Sequence, residues 1–267
     1  MAGVLIFSEN QGLALELLTA ANSLKATAVS ACVINNDEQA QALASAGVQV
    51  YSVNNNDLLM ADVGAIAGAI KQVADKAGAD TVLLASNRRG KELAGRLAQA
   101  MNAGCLTDVA ALNIEGDKIL CQRNALGGAT VATQYIDAGK KVIAIRPRTF
   151  EAAAGTGAGS VEEVAVEMKK AGVTVLEFKS RVGDTVDIEA AEVLVAVGQG
   201  LNSQDDLPAV EELAKKLGGE VACSKPVATD KKWLSEERII GLSGKKCKPQ
   251  LAMLLGISGQ VQFTVGI

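Results

Sequence analysis

Residues 240–262 read IGLSGKKCKPQLAMLLGISGQVQ, with one apolar run between two glycine-rich turns. The run Leu251–Leu255 is short and lies between Pro249 and Gly256, which predicts a buried parallel strand. The turn Gly256–Gly259 after it can open a helix and leave unpaired N–H groups at the carboxyl end of the strand. Such an arrangement favours an anion as ligand.

A second glycine-rich loop, Gly241–Gly244, precedes the run and places the hydroxyl of Ser243 close to Lys245 in the chain. It is not a Walker A loop, because Lys246 rather than Ser or Thr follows Lys245, and it is not a Gly-x-Gly-x-x-Gly fingerprint. Glycine turns also cap ordinary helices. Spacing alone therefore leaves a plain helix cap and an anion or nucleotide site both open.

Composition narrows the class of protein. The chain has 267 residues, 49% of them hydrophobic, which predicts a globular protein. Its formal net charge of −4 argues against general electrostatic binding to nucleic acid or anionic lipid. Histidine is absent, which argues against Ser-His-Asp and Cys-His catalysis. The 5 cysteines include no Cys-x-x-Cys pair, so we expect no metal site and interpret all of them as core residues in a cytoplasmic protein.

Nothing in the sequence predicts export or a membrane span. The chain passes from Met1 directly into the predicted strand Val4–Phe7, without the pattern of a signal peptide. The charge-free segment Leu251–Ile267 is interrupted by polar residues and glycines, and we expect it to be core.

The first part of the chain alternates short β-branched runs with helical spacing, which predicts βα units on a mostly parallel sheet. The predicted strands are Val4–Phe7, Val29–Ile34, Val48–Val53, Thr81–Ala85 and Val142–Ile145, and the clearest helix is Asp62–Ala77. Residues 113–120 predict a hairpin at a Gly-Asp turn, and residues 130–133 an antiparallel edge.

Later segments predict a loop at 152–160, helical spacing over Val161–Ala171 and a strand at Val173–Phe178. The sheet pattern restarts at Val193, with a strand Val193–Val197, a helix Pro208–Leu217 and a strand Glu220–Ser224. We therefore predict an α/β protein of two domains, 1–185 and 186–267.

Several blocks together resemble a known family. Residues 193–201, 224–227, 240–244 and 256–262 resemble, in order, the FAD-binding domain of electron transfer flavoprotein alpha subunits. Residues 90–98, 107–108, 127–129 and 146–150 are similar to the amino-terminal domain of that family.

The resemblance implies a first α/β domain that docks an electron transfer flavoprotein beta subunit. It also implies a doubly wound, Rossmann-like or flavodoxin-like second domain that holds FAD and passes electrons from a flavoprotein dehydrogenase to a downstream acceptor. No side chain is then needed as acid, base or nucleophile. The implied FAD contacts are Gln199, Ser224, Lys225, Ile240, Gly241, Leu242, Ser243, Ser258, Gly259, Gln260, Val261, Gln262 and Phe263.

Four of these positions depart from the family pattern. Lys225 and Gln199 replace arginines, and Leu242 replaces a polar residue. Phe263 stands in place of a histidine that usually hydrogen-bonds the flavin ring. Phe263, together with the abrupt end of the sequence, keeps open an alternative function, a non-redox nucleotide-binding or scaffold subunit.

Other basic residues have an ordinary interpretation. We expect Lys245, Lys246 and Lys248 to be exposed, and Arg88 with Arg89 to be solvated or to face a partner. The sequence stops within apolar residues at Ile267, and the resemblance implies a further βαβ segment. We therefore expect the second domain to lack its closing segment.

Overall fold

The computed structural model describes residues 3–155, 157–168, 174–177 and 186–267. The chain divides into two compact units: unit 1 comprises Met1–Asn124 and Val131–Phe178, and unit 2 comprises Ala125–Thr130 and Lys179–Ile267. The predicted boundary between residues 185 and 186 falls at the end of the undescribed residues 178–185, so it stays a prediction. Nothing in the sequence pattern indicates that Ala125–Thr130 belongs to unit 2.

Strands and helices alternate through the first part of the chain, as the sequence predicts. The strands are β1 (Gly3–Phe7), β2 (Val29–Ile34), β3 (Gln49–Val53), β4 (Ala79–Ala85), β5 (Gly104–Glu115), β6 (Lys118–Ala125), β7 (Thr130–Gln134), β8 (Lys141–Ile145) and β9 (Ser160–Glu163). The helices are α1 (Gln11–Ser23), α2 (Asp37–Ser45), α3 (Val63–Ala77) and α4 (Arg88–Met101).

These strands form one nine-stranded sheet in the order β7-β6-β5-β8-β4-β1-β2-β3-β9. The neighbours from β5 through to β9 pair in parallel, whereas β5 and β6 pair antiparallel across the predicted Gly-Asp turn. The first strand, β1, has β2 on one side and β4 on the other. The strand order therefore reverses between β1 and β4, the position at which open α/β sheets commonly bind ligands.

Helix α3 illustrates how local sequence fixes an element. The side chain of Asp62 caps its start by accepting a hydrogen bond from the N–H of Ala65, and Gly78 ends it with φ 64°. Its apolar stripe, which includes Ile66 and Ile70, is buried against the sheet core. The predicted helix, Asp62–Ala77, matches the observed one including its cap.

Two predicted elements after residue 160 are wrong where the structure describes them. Ser160–Glu163 forms strand β9 rather than the start of a helix, because its backbone pairs with the edge of β3. Residues 164–168 are irregular, and 169–171 lie outside the described residues. Of the predicted strand Val173–Phe178, residues 174–177 are irregular and the two end residues lie outside the described residues.

Unit 2 is built on a smaller parallel sheet of three strands in the order β11-β10-β12. Its elements are β10 (Val193–Val197), α5 (Leu207–Lys216), β11 (Glu220–Cys223), α6 (Lys225–Thr229), β12 (Leu251–Leu255) and α7 (Val261–Thr264). The central strand, β10, leads through α5 to β11 on one side and has β12 on the other. Unit 2 therefore has the strand order of a doubly wound sheet, as the family resemblance implies.

The two faces of the unit 2 sheet are covered differently. Helix α5 packs on one face through Leu207, Val210 and Ala214. The other face is covered by segments that contribute Ile188, Ile240 and Cys247, and by the short helix α7 through Phe263.

Strand β12 is parallel as predicted but is not buried. Leu251 is 46% exposed and Leu254 is 45% exposed. The reason is its position at the edge of the sheet, which an apolar run alone does not reveal.

The cysteines also differ in part from the prediction. Cys32, Cys121, Cys223 and Cys247 are buried, but Cys105 is exposed. Burial raises the pKa of the Cys32 and Cys223 thiols to about 12. Among the described helices, none has the length and apolar character needed to cross a membrane.

Candidate functional site

The residues of interest lie where the strand order of unit 2 reverses, at the carboxyl ends of β10 and β12. The N–H of Gly198 donates to the carbonyl of Leu255 at 2.8 Å, and the N–H of Gly200 donates to the carbonyl of Gly256 at 3.0 Å. A Cβ on Gly198 would overlap the carbonyl group of Gly256, and one on Gly256 would lie 2.8 Å from the backbone of Gly200. Only glycines allow the two chain segments to approach this closely.

The segment that follows β12 presents unpaired amides. Gly256 and Gly259 have φ values of 67° and 76° and make the backbone turn sharply. The N–H groups of Ser258, Gly259 and Gln260 form no hydrogen bond with any residue that the structure describes, and all three residues are exposed. Consecutive exposed amides of this kind form a concavity suited to an anion.

The second glycine loop lies directly against the residues after this turn. The N–H of Leu242 donates to the carbonyl of Gln262 at 2.8 Å. A Cβ on Gly241, whose φ is 132°, would overlap the same carbonyl group. The structure thus brings both predicted glycine loops together, through backbone contacts that involve Gln262.

Ser224 and Lys225 reach the same edge of the sheet through β11. The N–H of Ser224 donates to the carbonyl of Val197 at 2.9 Å, which places Ser224 beside the end of β10. Lys225 is the first residue of α6 and is exposed. The N–H of Ile240 donates to the carbonyl of Cys223 at 2.9 Å, so the second glycine loop starts next to β11.

The predicted site residues separate into an exposed group and a buried group. The exposed ones are Gln199, Lys225, Leu242, Ser243, Ser258, Gly259, Gln260, Val261 and Gln262, and Ser224 is half-buried. The buried ones are Ile240, Gly241 and Phe263.

Phe263 is 6% exposed and packs in the core with Ile240 and Cys247. Its ring therefore supports the turn from below. The side chain of Ile240, which is 2% exposed, has the same supporting role. Neither side chain offers a polar contact to a ligand.

An ionic cluster borders the second loop. Lys245 Nζ lies 3.6 Å from a carboxylate oxygen of Glu237, with the lysine side chain 25% exposed rather than fully solvated as expected. Desolvation raises the pKa of Glu189, Lys245 lowers it, and Asp187 and Glu237 raise it further. The cluster therefore ties the loop to neighbouring segments of unit 2.

One residue that the sequence does not reveal also contacts this edge. Lys231 Nζ donates to the carbonyl oxygens of Gln199 and Leu201, at 3.2 Å and 2.8 Å. The same Nζ lies 4.0 Å from the ring centroid of Trp233. A lysine that bonds backbone carbonyls far away in the chain leaves no sequence signal except its nearness to a tryptophan.

The arrangement fits the diphosphate of a dinucleotide such as FAD. Glycines remove the side chains that would fill the space at the strand ends, and the exposed amides supply donors without a fixed counter-charge. Lys225 adds a positive charge at the same edge. Across the described residues, no group of three or more His, Cys, Asp or Glu side chains is arranged to hold a metal ion.

Comparison with known protein families finds a matching domain for each of the two parts of the chain. Residues 5–169 match the electron transfer flavoprotein domain. Residues 187–267 match the electron transfer flavoprotein FAD-binding domain. All thirteen predicted contact positions fall within the second match.

Individual proteins are similar over nearly the whole chain. The protein FixB of Escherichia coli O6:K15:H31 is 33% identical over 269 residues, which cover 98% of this chain and 84% of that protein. FixB of Shigella flexneri is 33% identical over the same shares. FixB of Escherichia coli K12 is 32% identical, again over 98% and 84% of the two chains.

Proposed function

Because the chain belongs to the electron transfer flavoprotein family as an alpha-type subunit with an FAD-binding domain, we propose that it carries electrons from a flavoprotein dehydrogenase to a downstream acceptor. The family is one of redox carriers, so the work of the protein is to hold the cofactor rather than to transform a substrate. The FAD is proposed to bind at the carboxyl edge of the unit 2 sheet.

The observation that carries this placement is the run of exposed, unpaired amides at Ser258, Gly259 and Gln260. It lies beside the point where Gly198 and Gly256 approach too closely for any side chain. These three exposed amides form no hydrogen bond with any described residue, so an anionic ligand can accept from all of them.

Backbone amides and side chains of the site have different proposed roles in binding FAD. The amides of residues 258–260 bind the diphosphate, and Lys225 supplies charge, while the hydroxyl groups of Ser224 and Ser243 are donors at the same edge. The buried Ile240 and Phe263 hold the two loops in place. When bound, FAD supplies the redox chemistry, and the protein sets its orientation and electrostatics.

We also propose the partner and the location. Alpha-type subunits of this family normally pair with a beta subunit, and unit 1 is the proposed docking domain for it. A cytoplasmic location is supported by the five cysteines, which are all present as free thiols.

Reconstitution tests the proposal. The chain, coexpressed with its beta partner, is expected to purify with visible flavin absorbance or to regain it when FAD is added. A complex that stays colourless at saturating FAD contradicts the redox assignment. Reduction of the bound flavin by a flavoprotein dehydrogenase with its substrate then tests the carrier role.

One observation supports a second candidate, a nucleotide-binding subunit without redox activity. Phe263 is buried and cannot donate a hydrogen bond to a flavin ring. Calorimetric titration with FAD, AMP and ATP separates the two functions. Binding of the adenine nucleotides with no binding of FAD favours the second, and restoration of flavin binding by Phe263→His identifies this position as the defect.

A further inference from the structure

The loop Gly198–Leu201 leaves the central strand β10 at the proposed FAD site and is held from two sides. On its amide side, the N–H of Gly200 donates to Gly256, as described above. On its carbonyl side, Lys231 Nζ bonds the oxygens of Gln199 and Leu201 at 3.2 Å and 2.8 Å. A single ammonium group therefore fixes two carbonyls of one tight turn.

Lys231 is itself held firmly in place. Its own N–H donates to the carbonyl of Pro226 at 3.0 Å, which anchors its backbone to α6. Its ammonium group lies 4.0 Å from the centre of the Trp233 ring, a distance at which the ring quadrupole attracts a cation. The N–H of Trp233 donates to Val227 at 3.1 Å, and the ring packs against the core beneath α5.

This geometry has an electrostatic consequence for an anionic ligand. Carbonyl oxygens carry partial negative charge, and those of residues 199 and 201 stand at the strand end where a diphosphate is expected. A carbonyl that is bonded to an ammonium group is both neutralised and prevented from turning toward the phosphate. The loop has no cation of its own, since Gln199 is neutral.

We propose that Lys231 is a positioning residue for FAD, which acts by clamping the loop Gly198–Leu201, and that Trp233 supports it as a cation–π partner. The inference rests on the proposed binding of FAD by unit 2. It adds a residue pair, Lys231 and Trp233, to a site that is otherwise built from glycine turns. It also explains why the lysine points back toward β10 rather than into solvent.

The test compares Lys231→Met, Lys231→Arg and the matched control Lys232→Met in the complex with the beta partner. Lys232 is adjacent and exposed, so its replacement removes the same charge without touching the loop. We expect Lys231→Met to weaken FAD binding about tenfold, a typical cost for losing hydrogen bonds to a charged group. Lys231→Arg should restore most of the affinity, and Lys232→Met should leave it at the wild-type value.

Amide hydrogen exchange supplies a readout that does not depend on FAD. In the cofactor-free protein, Lys231→Met should speed exchange of the amides in residues 198–202, whereas Lys232→Met should not. The single tryptophan, Trp233, reports independently through a change in its emission when the ammonium group is removed.

The outcomes separate the clamp from the cofactor assignment. Unchanged loop exchange and unchanged FAD affinity in Lys231→Met overturn the clamp. Faster loop exchange with unchanged affinity overturns its role in FAD binding. A wild-type complex that takes up no FAD refutes the proposed function, and loop exchange still decides whether the clamp exists. If Lys231→Met does not fold, the milder Trp233→Leu variant, which keeps the ammonium group, should show the same effects at smaller size.

Discussion

Both units contain a reversal of strand order around their first strand, but the residues that follow the strand ends differ. In both, the first parallel strand has its sequence neighbour on one side and a later strand on the other: β2-β1-β4 in unit 1 and β11-β10-β12 in unit 2. In unit 1 the strand ends lead into Ser8 and Glu9, and Glu9 forms an ion pair with Arg89 at the start of α4. In unit 2 the strand ends lead into glycines.

The difference in side chains decides what each edge can bind. The cleft at the edge of unit 1 is lined largely by apolar residues, including Phe7, Met60 and Ile66. Its cation, Arg89, is already neutralised by Glu9. The first amides of α4 are partly occupied too, since the side chain of Asn87 accepts from Gly90 at 2.7 Å. Topology offers a possible ligand site in both units. Among the described residues, the unit 1 edge carries a paired cation and an Asn87 cap, whereas the unit 2 edge carries close glycine contacts and the three exposed amides of residues 258–260.

The largest expected effect comes from filling the glycine contact in unit 2. Gly198→Ala places a methyl group against the backbone carbonyl of Gly256, which cannot move without shifting β12. Overpacking of this kind costs about 1–3 kcal/mol of unfolding free energy. A shift of Gly256 would also displace the amides of residues 258–260, so we expect FAD affinity, measured by titration, to fall about a hundredfold.

Two glycines of α4 provide the controls. Gly90→Ala creates an equivalent overlap with the carbonyl of Ala85, so it should destabilise unit 1 and leave FAD affinity unchanged. Gly95→Ala has nothing within 4 Å and should stabilise α4 by about 1 kcal/mol or less. Normal FAD binding by Gly198→Ala would break the comparison, because the glycine contact would then be irrelevant to the ligand.

A smaller effect is expected from strain in the turn after β12. Gly259 has φ 76° and open space around it, so Gly259→Ala tests backbone conformation alone. A left-handed alanine costs about 1–2 kcal/mol, and relaxation of the turn should lower FAD affinity about tenfold. Gly116→Ala is matched to it, with φ 61° and nothing within 4 Å, but lies in the hairpin turn of unit 1. Equal effects of the two variants on FAD binding would refute a specific role for the turn.

The exposed lysine at the start of α6 should matter less. Lys225→Ala is expected to weaken FAD binding about three- to fivefold, because an exposed charge contributes about 0.2–1 kcal/mol. Lys225→Arg should bind slightly more tightly than the wild type, since guanidinium matches phosphate geometry. Added salt should reduce both differences, and a salt-independent loss in Lys225→Ala would indicate a structural role instead.

The smallest expected effects are on the pH dependence of stability, which should run in opposite directions in the two units. In unit 1 the pKa of Asp75 is lowered from 3.8, chiefly by hydrogen bonds from Lys71 and Lys140. Asp75 therefore stabilises unit 1 above pH 3.8, and this contribution is lost as the pH falls further. In unit 2 the pKa of Glu189 is raised from 4.5, so its contribution declines as the pH rises from 4.5 through the raised value.

Unit-resolved hydrogen exchange at several pH values checks this prediction. Asp75→Asn should remove the acid-side loss in unit 1 only, and Glu189→Gln should remove the decline in unit 2 only. The same pH response in both units after either substitution would contradict the assignment of these carboxyl groups.

The parts of the fold predicted correctly are those governed by neighbours in the sequence. The span of α3 follows from a capping aspartate, an apolar stripe and a terminal glycine, and the β5–β6 hairpin follows from a Gly-Asp turn. The predictions that failed depend on distant partners. Strand β9 forms because its backbone pairs with β3. Leu251 is exposed because β12 is an edge strand, with a neighbour on one side within the described sheet.

The candidate site shows the same division. The glycine loops were predicted because glycine has no Cβ, so its presence alone indicates a turn or a close backbone approach. The supporting position of Phe263 and the contacts of Lys231 were not, because a phenylalanine or a lysine is equally compatible with surface and interior until the chain is packed. Whether the thirteen predicted positions all contact FAD stays a prediction for the experiments above to test.

The sequence by itself determined the alternation of strands and helices, the two glycine turns and the similarity to electron transfer flavoprotein alpha subunits, since each is a local pattern of residue types. Only the tertiary structure decided that Leu242 bonds Gln262, that Ile240 and Phe263 form the support beneath the turns, and that Lys231 holds the β10 loop. These contacts join residues that are distant in the chain. Their formation depends on the packing of the whole unit 2 sheet, which no short stretch of sequence encodes.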